Sequence, residues 1–67
     1  MKNRLRGYRF LSGKSQDDLA IKTGISQPLI SKIERGAIKK LSPEKIQKIA
    51  KELGRPVNAV FPKPKKE

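Results

Sequence analysis

A chain of 67 residues with no cysteine and no histidine reads as one small domain that has neither disulfides nor the usual zinc ligand sets. A core of this size supplies only roughly 3–5 kcal/mol unless something staples it, so economical helix packing or dimerisation must do the work. Lys and Arg number 17 against 6 Asp and Glu, a net charge of +11, which points to a polyanionic partner such as DNA, RNA or an acidic membrane surface, while solubility or heat adaptation is the plainer reading of the same charge.

The basic N-terminus Met1-Lys2-Asn3-Arg4 is followed by no apolar run, so no signal peptide is expected. No stretch approaches the roughly 20 apolar residues of a membrane-spanning helix. The first predicted helix covers about Lys2 to Ser12, with Leu5, Tyr8 and Leu11 as its apolar face and Gly13 as its end. Ser15 suits the N-cap of a second helix, and Asp18 three residues later completes a capping-box pattern. Asp17 and Asp18 also sit at the positive end of that helix dipole. The helix runs to about Thr23 and stops at Gly24, a residue suited to a left-handed turn.

Ser26 caps a third helix, from Gln27 to about Arg35. Pro28 falls in its first turn, where the N–H groups have no intrahelical partner to lose. A basic loop, Ala37-Ile38-Lys39-Lys40, follows Gly36. Ser42-Pro43 opens a fourth helix, with Leu41 and Ile46 spaced as a hydrophobic staple and Ile46, Ile49, Ala50 and Leu53 at amphipathic helix spacing. Gly54 ends it. Pro56 to about Phe61 makes one more short helix that closes the core with Val57, Val60 and Phe61. Nothing alternates as a strand does, so the fold class is all-α. Residues 1–61 form the domain, and residues 62–67 a basic tail without a core to join.

Two short helices joined at Gly24, with Ala20 four residues before and Ile30 six after, have the spacing of a helix-turn-helix, which presents its second helix to a DNA major groove. At about 100° per residue, Ile30 and Ile33 of the third helix fall on one side. Gln27, Pro28, Ser31, Lys32 and Arg35 fall on the other. Gln pairs with adenine, Lys with guanine, Ser with either bases or phosphates, and Pro can touch a thymine methyl. The N-terminal part of such a helix enters the groove first. This makes Gln27, Pro28, Ser31 and Lys32 the candidate base-reading residues, although a polar outer face is also what any amphipathic helix shows. Gln16 at the head of the second helix, Lys39 and Lys40 in the loop, Arg4, Arg6 and Arg9 of the first helix, and Arg35 are the candidate phosphate contacts.

From about Leu5 to Phe61 the chain resembles the lambda-repressor-like helix-turn-helix family, of the Cro, phage-repressor or xenobiotic-response-element type. The resemblance rests on Ser15-Gln16, Leu19-Ala20, Gly24, Ser26-Gln27, Ile30-Ser31, Ile33-Glu34 and Gly36, with Leu53-Gly54 and Val60-Phe61 beyond. It implies a compact five-helix domain and specific binding to double-stranded operator DNA, usually as a dimer on two half-sites. It also implies a partly buried salt bridge between Arg9 and Glu34, which leaves Arg4 and Arg6 as the better phosphate contacts of the first helix. Pro28 stands where the family often has a polar residue. Lys14 stands where it often has a leucine, a change that predicts a looser junction between the first two helices.

The expected function is a sequence-specific, repressor-like transcriptional regulator of the prokaryotic cytoplasm and nucleoid, possessing no cofactor. The alternative is a protein-interaction module of the same fold, such as the antitoxin partner of a toxin, with Val57, Val60 and Phe61 as its contact surface. Charge-driven, non-specific binding to nucleic acid is a third reading. Membrane binding is disfavoured for want of a large aromatic-rich apolar face. No nucleophile–base or metal constellation is present, so no enzyme is expected.

Overall fold

The computed structural model describes residues 2–62. These residues form five helices and no strand: α1 (Leu5–Leu11), α2 (Gln16–Thr23), α3 (Gln27–Glu34), α4 (Pro43–Leu53) and α5 (Val57–Val60). Of the expected basic tail, only Pro62 falls within the described residues. Among them no helix is long and apolar enough to cross a membrane.

Local chemistry sets three of the four interhelix junctions. Ser15 Oγ accepts from the Asp18 N–H at 2.9 Å, and the Asp18 carboxylate accepts from the Ser15 N–H at 3.1 Å, so the capping box is complete in both directions. Ser26 and Ser42 cap α3 and α4 by accepting from the Leu29 and Lys45 N–H groups. Pro28 and Pro43 fall in first turns, as their missing N–H requires. Gly24 ends α2 at φ +73°. A Cβ there would meet nothing within 4 Å, so the turn needs glycine for its backbone angle and not for space.

The start of α1 differs from expectation. The helix begins at Leu5, not Lys2, because the preceding backbone is used elsewhere. The Arg4 N–H donates to Val60 O at 2.8 Å, and the Asn3 side chain donates to Ile33 O at 2.8 Å while accepting from the Leu5 N–H at 3.0 Å. Two residues, Asn3 and Arg4, therefore tie the start of α1 to the ends of α3 and α5. No local spacing rule contains those partners.

Leu5, Leu19, Ile30, Ile33, Ile49 and Val60 are fully buried, and all five helices contribute to this core or its margin. Helix α2 packs against α3 and α4, α4 against α5, and α1 against α3. Each such side chain is worth roughly 1.5–3 kcal/mol of transfer free energy, most of which chain entropy offsets. Leu41 and Ile46, the staple pair, both pack on the core margin. Buried Thr23 is fully used: its hydroxyl donates to Leu19 O at 2.7 Å and accepts from the Ile25 N–H. Leu11 is the clear miss. It was expected on the apolar face of α1 but is 75% exposed, because the helix turns its Leu5–Arg9 edge inward.

Candidate nucleic-acid interface

The outer edge of α3 stands clear of the core. Ile30 and Ile33 are buried, whereas Pro28, Lys32 and Arg35 are exposed and Gln27 and Ser31 half-buried. The half-buried pair lies on the side of α3 that meets the head of α2. There the Gln27 side-chain amide donates to Gln16 Oε1, and Gln16 Nε2 donates to Glu34 Oε1 at 3.0 Å. Each amide retains one N–H, and Gln27 also retains its oxygen, for a ligand. Arg35 Nη1 donates to Ser31 Oγ at 3.2 Å, so these two residues of the outer edge orient each other.

Glu34 is the hub behind this edge. Its carboxylate accepts from Arg9 Nε, from Arg9 Nη2 at 3.2 Å and from Gln16. The side chains of Arg9 and Glu34 are only 9% and 4% exposed. A buried ion pair is steadier when its other polar groups also find partners, and Arg9 Nη1 donates to Lys14 O at 2.9 Å. No buried side-chain N or O among the described residues lacks a partner. The pair therefore clamps α1, the α1–α2 junction, α2 and α3 in one register.

The Lys14 junction is braced, contrary to the looseness predicted from its replacing leucine. The lysine carbonyl holds Arg9, and its ammonium pairs with Glu52 of α4 at 3.6 Å. A salt bridge from the α1–α2 junction to α4 stands in for apolar packing.

The phosphate candidates divide into two groups. Arg6, Gln16 and Arg35 line one cleft of about 250 Å³ together with Arg9, Ser31 and Glu34. Arg6 stands with its guanidinium 5.5 Å from the Phe10 ring centroid, and Arg9 stacks on the same ring at 4.7 Å. This cation–π stacking explains an aromatic side chain left 60% exposed. Lys39 and Lys40 are both exposed on a loop whose Ile38 and Leu41 are anchored to the core margin. Arg4 stands apart. At about 100° per residue along α1, it falls on the flank opposite Arg6, beside Gly7, Tyr8 and Leu11.

Sequence reasoning missed the amide bond between Gln16 and Gln27, the Lys14 carbonyl as a ligand of Arg9, and Phe10 as the platform for Arg6. The i, i+4 spacing of Arg6 and Phe10, with Arg9 adjacent, was the available signal for the last. Asp18 carries the clearest electrostatic signature. Hydrogen bonds from the Ser15 backbone and hydroxyl hold its carboxyl below the usual aspartate range, with Lys14 and Lys22 assisting. No cluster of three or more acidic, cysteine or histidine side chains suited to a metal occurs among the described residues.

Comparison with known proteins matches this geometry. The family model described as helix-turn-helix covers residues 5–60. No curated protein matches the chain. Among solved structures, a chain of the SinR protein/SinI protein complex superposes with a TM-score of 0.83 at 28% sequence identity, over 90% of this chain. The alignment spans 58% of that chain. The match over residues 5–60, with the Gly24 turn and the five-helix frame around it, means that this chain belongs to the helix-turn-helix family of DNA-binding regulators, in its Cro and lambda-repressor-like form.

Proposed function

We propose that this chain is a sequence-specific repressor that lays α3 in the major groove of operator DNA. The observation that carries the reading is the outer edge of α3, where Gln27, Pro28, Ser31 and Lys32 stand clear of the core while Gln16 and Glu34 lock the helix from behind. In this reading Gln27 and Lys32 supply hydrogen bonds to base edges, Ser31 assists, and Pro28 offers an apolar contact to a thymine methyl. Arg6, Gln16 and Arg35 hold one stretch of phosphate backbone from their shared cleft, and Lys39 and Lys40 hold another. Arg4 is left out of this set because it lies on the far flank of α1.

The protein acts without catalysis or cofactor, in the prokaryotic cytoplasm on the nucleoid. It binds as a homodimer, because one module of this size covers little DNA. Two-fold binding then places half-sites about one helical turn apart, roughly 34 Å.

Selection from a random duplex pool, followed by a salt series, tests the reading. A selected site should keep a preference of about 10³ or more over random duplex, on top of a steep common salt dependence. Equal binding of all sequences, vanishing at moderate salt, would sink it and leave only charge-driven association.

A second reading, a module for a protein partner, is favoured by one observation: a solved structure that this chain resembles is described as a protein–protein complex. The surface first expected for it, at Val57, Val60 and Phe61, is mostly used in the core. Val60 is fully buried and Phe61 is 7% exposed, whereas Val57, also expected to close the core, is 39% exposed because the short α5 turns Val60 inward instead.

A further inference from the structure

Helix α1 has a flank that the domain uses only at its inner margin: Tyr8 packs partly against the core under Arg55, while Gly7 and Leu11 stand exposed. Arg4, Gly7, Tyr8 and Leu11 recur at helical i, i+3, i+4, i+7 spacing and line one open groove of about 380 Å³. Leu11 lies 75% exposed at one end of it. Gly7 lies in mid-helix, where glycine weakens a helix relative to alanine. It has no positive φ, and a Cβ there would meet nothing within 4 Å. Neither backbone angle nor internal packing therefore calls for glycine at this position. A missing side chain on an exposed helical face does permit close approach by a second backbone.

The groove also has a charge. Arg4 lies along it, and the Arg55 guanidinium stacks 5.0 Å from the Tyr8 ring centroid. A two-fold contact with a second copy through this same flank would set Arg4 and Arg55 near like charges. DNA finds no continuous polar edge there, and Arg6 lines a separate cleft with Ser31 and Arg35. The complement of an apolar slot with cationic margins is an amphipathic helix whose flanks are acidic.

We infer that the Arg4–Gly7–Tyr8–Leu11 flank of α1 docks an acidic amphipathic helix of another protein, with that helix passing close over Gly7 and apolar side chains meeting Leu11 and Tyr8. This surface is separate from the reading edge, so a bound partner can act on the regulator without entering the groove-facing side. The inference stands on the α1 geometry and does not require the operator reading.

The test uses the full chain and a synthetic peptide of about five helical turns, with Leu at i, i+3, i+4, i+7 and Glu on both flanks. A scrambled peptide of the same composition is the control. In ¹⁵N NMR titration the amides of Gly7, Tyr8, Leu11 and Arg55 should shift. Leu11→Asp and Gly7→Leu should each weaken peptide binding by about tenfold or more, the scale of an interface hot spot. Both variants should keep the parent fold by NMR and bind random duplex DNA as the parent does. Leu11→Asp changes an exposed side chain and Gly7→Leu favours the helix, so at least one folded variant reports. Shifts confined to Gln27, Ser31 and Lys32 would mean that the peptide merely mimics DNA, and would overturn the proposal. Equal binding of the scrambled peptide, or no binding, would overturn it as well. So would self-association of the chain through Leu11 that excludes the peptide.

Discussion

Gln27, on the outer edge of α3, donates its side-chain amide to Gln16 Oε1 at the head of α2. The residue proposed to read a base and the residue proposed to hold a phosphate therefore orient each other before DNA arrives. Their effects on binding should be coupled. Gln16→Ala and Gln27→Ala, combined in a double-mutant cycle of operator affinity, should show non-additivity of about 0.5–3 kcal/mol, the range for residues in direct contact. The same cycle with Lys40→Ala in place of Gln16→Ala should be additive within about 0.5 kcal/mol.

The clamp behind that pair sets a stability expectation. Glu34 accepts three hydrogen bonds from Arg9 and Gln16 while almost fully buried. Glu34→Ala strands the Arg9 guanidinium in the interior, and removing one partner of a buried pair costs roughly 3–5 kcal/mol. That matches the whole stability expected of so small a core. Thermal denaturation by circular dichroism should therefore find Glu34→Ala near its midpoint at room temperature, with about half the chains unfolded. A variant that melts close to the parent would show that the pair contributes little.

Two glycines should respond to alanine in opposite directions. Gly24 holds φ +73° in the turn between α2 and α3, where an L-residue costs roughly 1–2 kcal/mol. Gly7 has no positive φ, and open space surrounds its missing side chain, so Gly7→Ala should stabilise by about 0.5–1 kcal/mol. Denaturant midpoints of the two variants check the signs.

The capping box of α2 should be sensitive to acid. The Ser15 hydrogen bonds hold the Asp18 carboxyl below its usual range, so the folded state binds that proton less readily than the unfolded state does. The stabilisation is then fully present above the usual aspartate value and is lost as pH falls through the lower, folded value. Melting temperatures of the parent and Asp18→Ala, measured over acidic pH, should differ near neutrality and converge at low pH. A constant difference would mean that the cap does not act through its charge.

Much of this frame was legible in the chain because its signals are local. Ser15 with Asp18, Gly24, Ser26 before Pro28, and Ser42-Pro43 each specify a helix end through atoms no more than four residues away. The division of α3 into a buried side and a polar outer edge was legible for the same reason, since Ile30 and Ile33 mark its inner face. What escaped depends on distant partners. Arg4 and Asn3 give up helix to bond Val60 and Ile33, so α1 starts late. Leu11 faces solvent because the buried edge of α1 includes Arg9, a residue that no hydrophobic pattern marks as internal. Only the family resemblance pointed to its pairing with Glu34.

The most direct test of the central claim, that α3 reads sequence while the loop grips backbone, compares two variants on one operator series. Affinities of Gln27→Ala and Lys39→Ala should be measured for the selected site, its single-base substitutions and random duplex, across salt. Gln27→Ala should lose about 1–3 kcal/mol of discrimination at one base position. Lys39→Ala should weaken every duplex alike and lower the salt slope by about 1. If both variants weaken all duplexes equally, with base preference intact in each, α3 does not read DNA through Gln27 and the account fails.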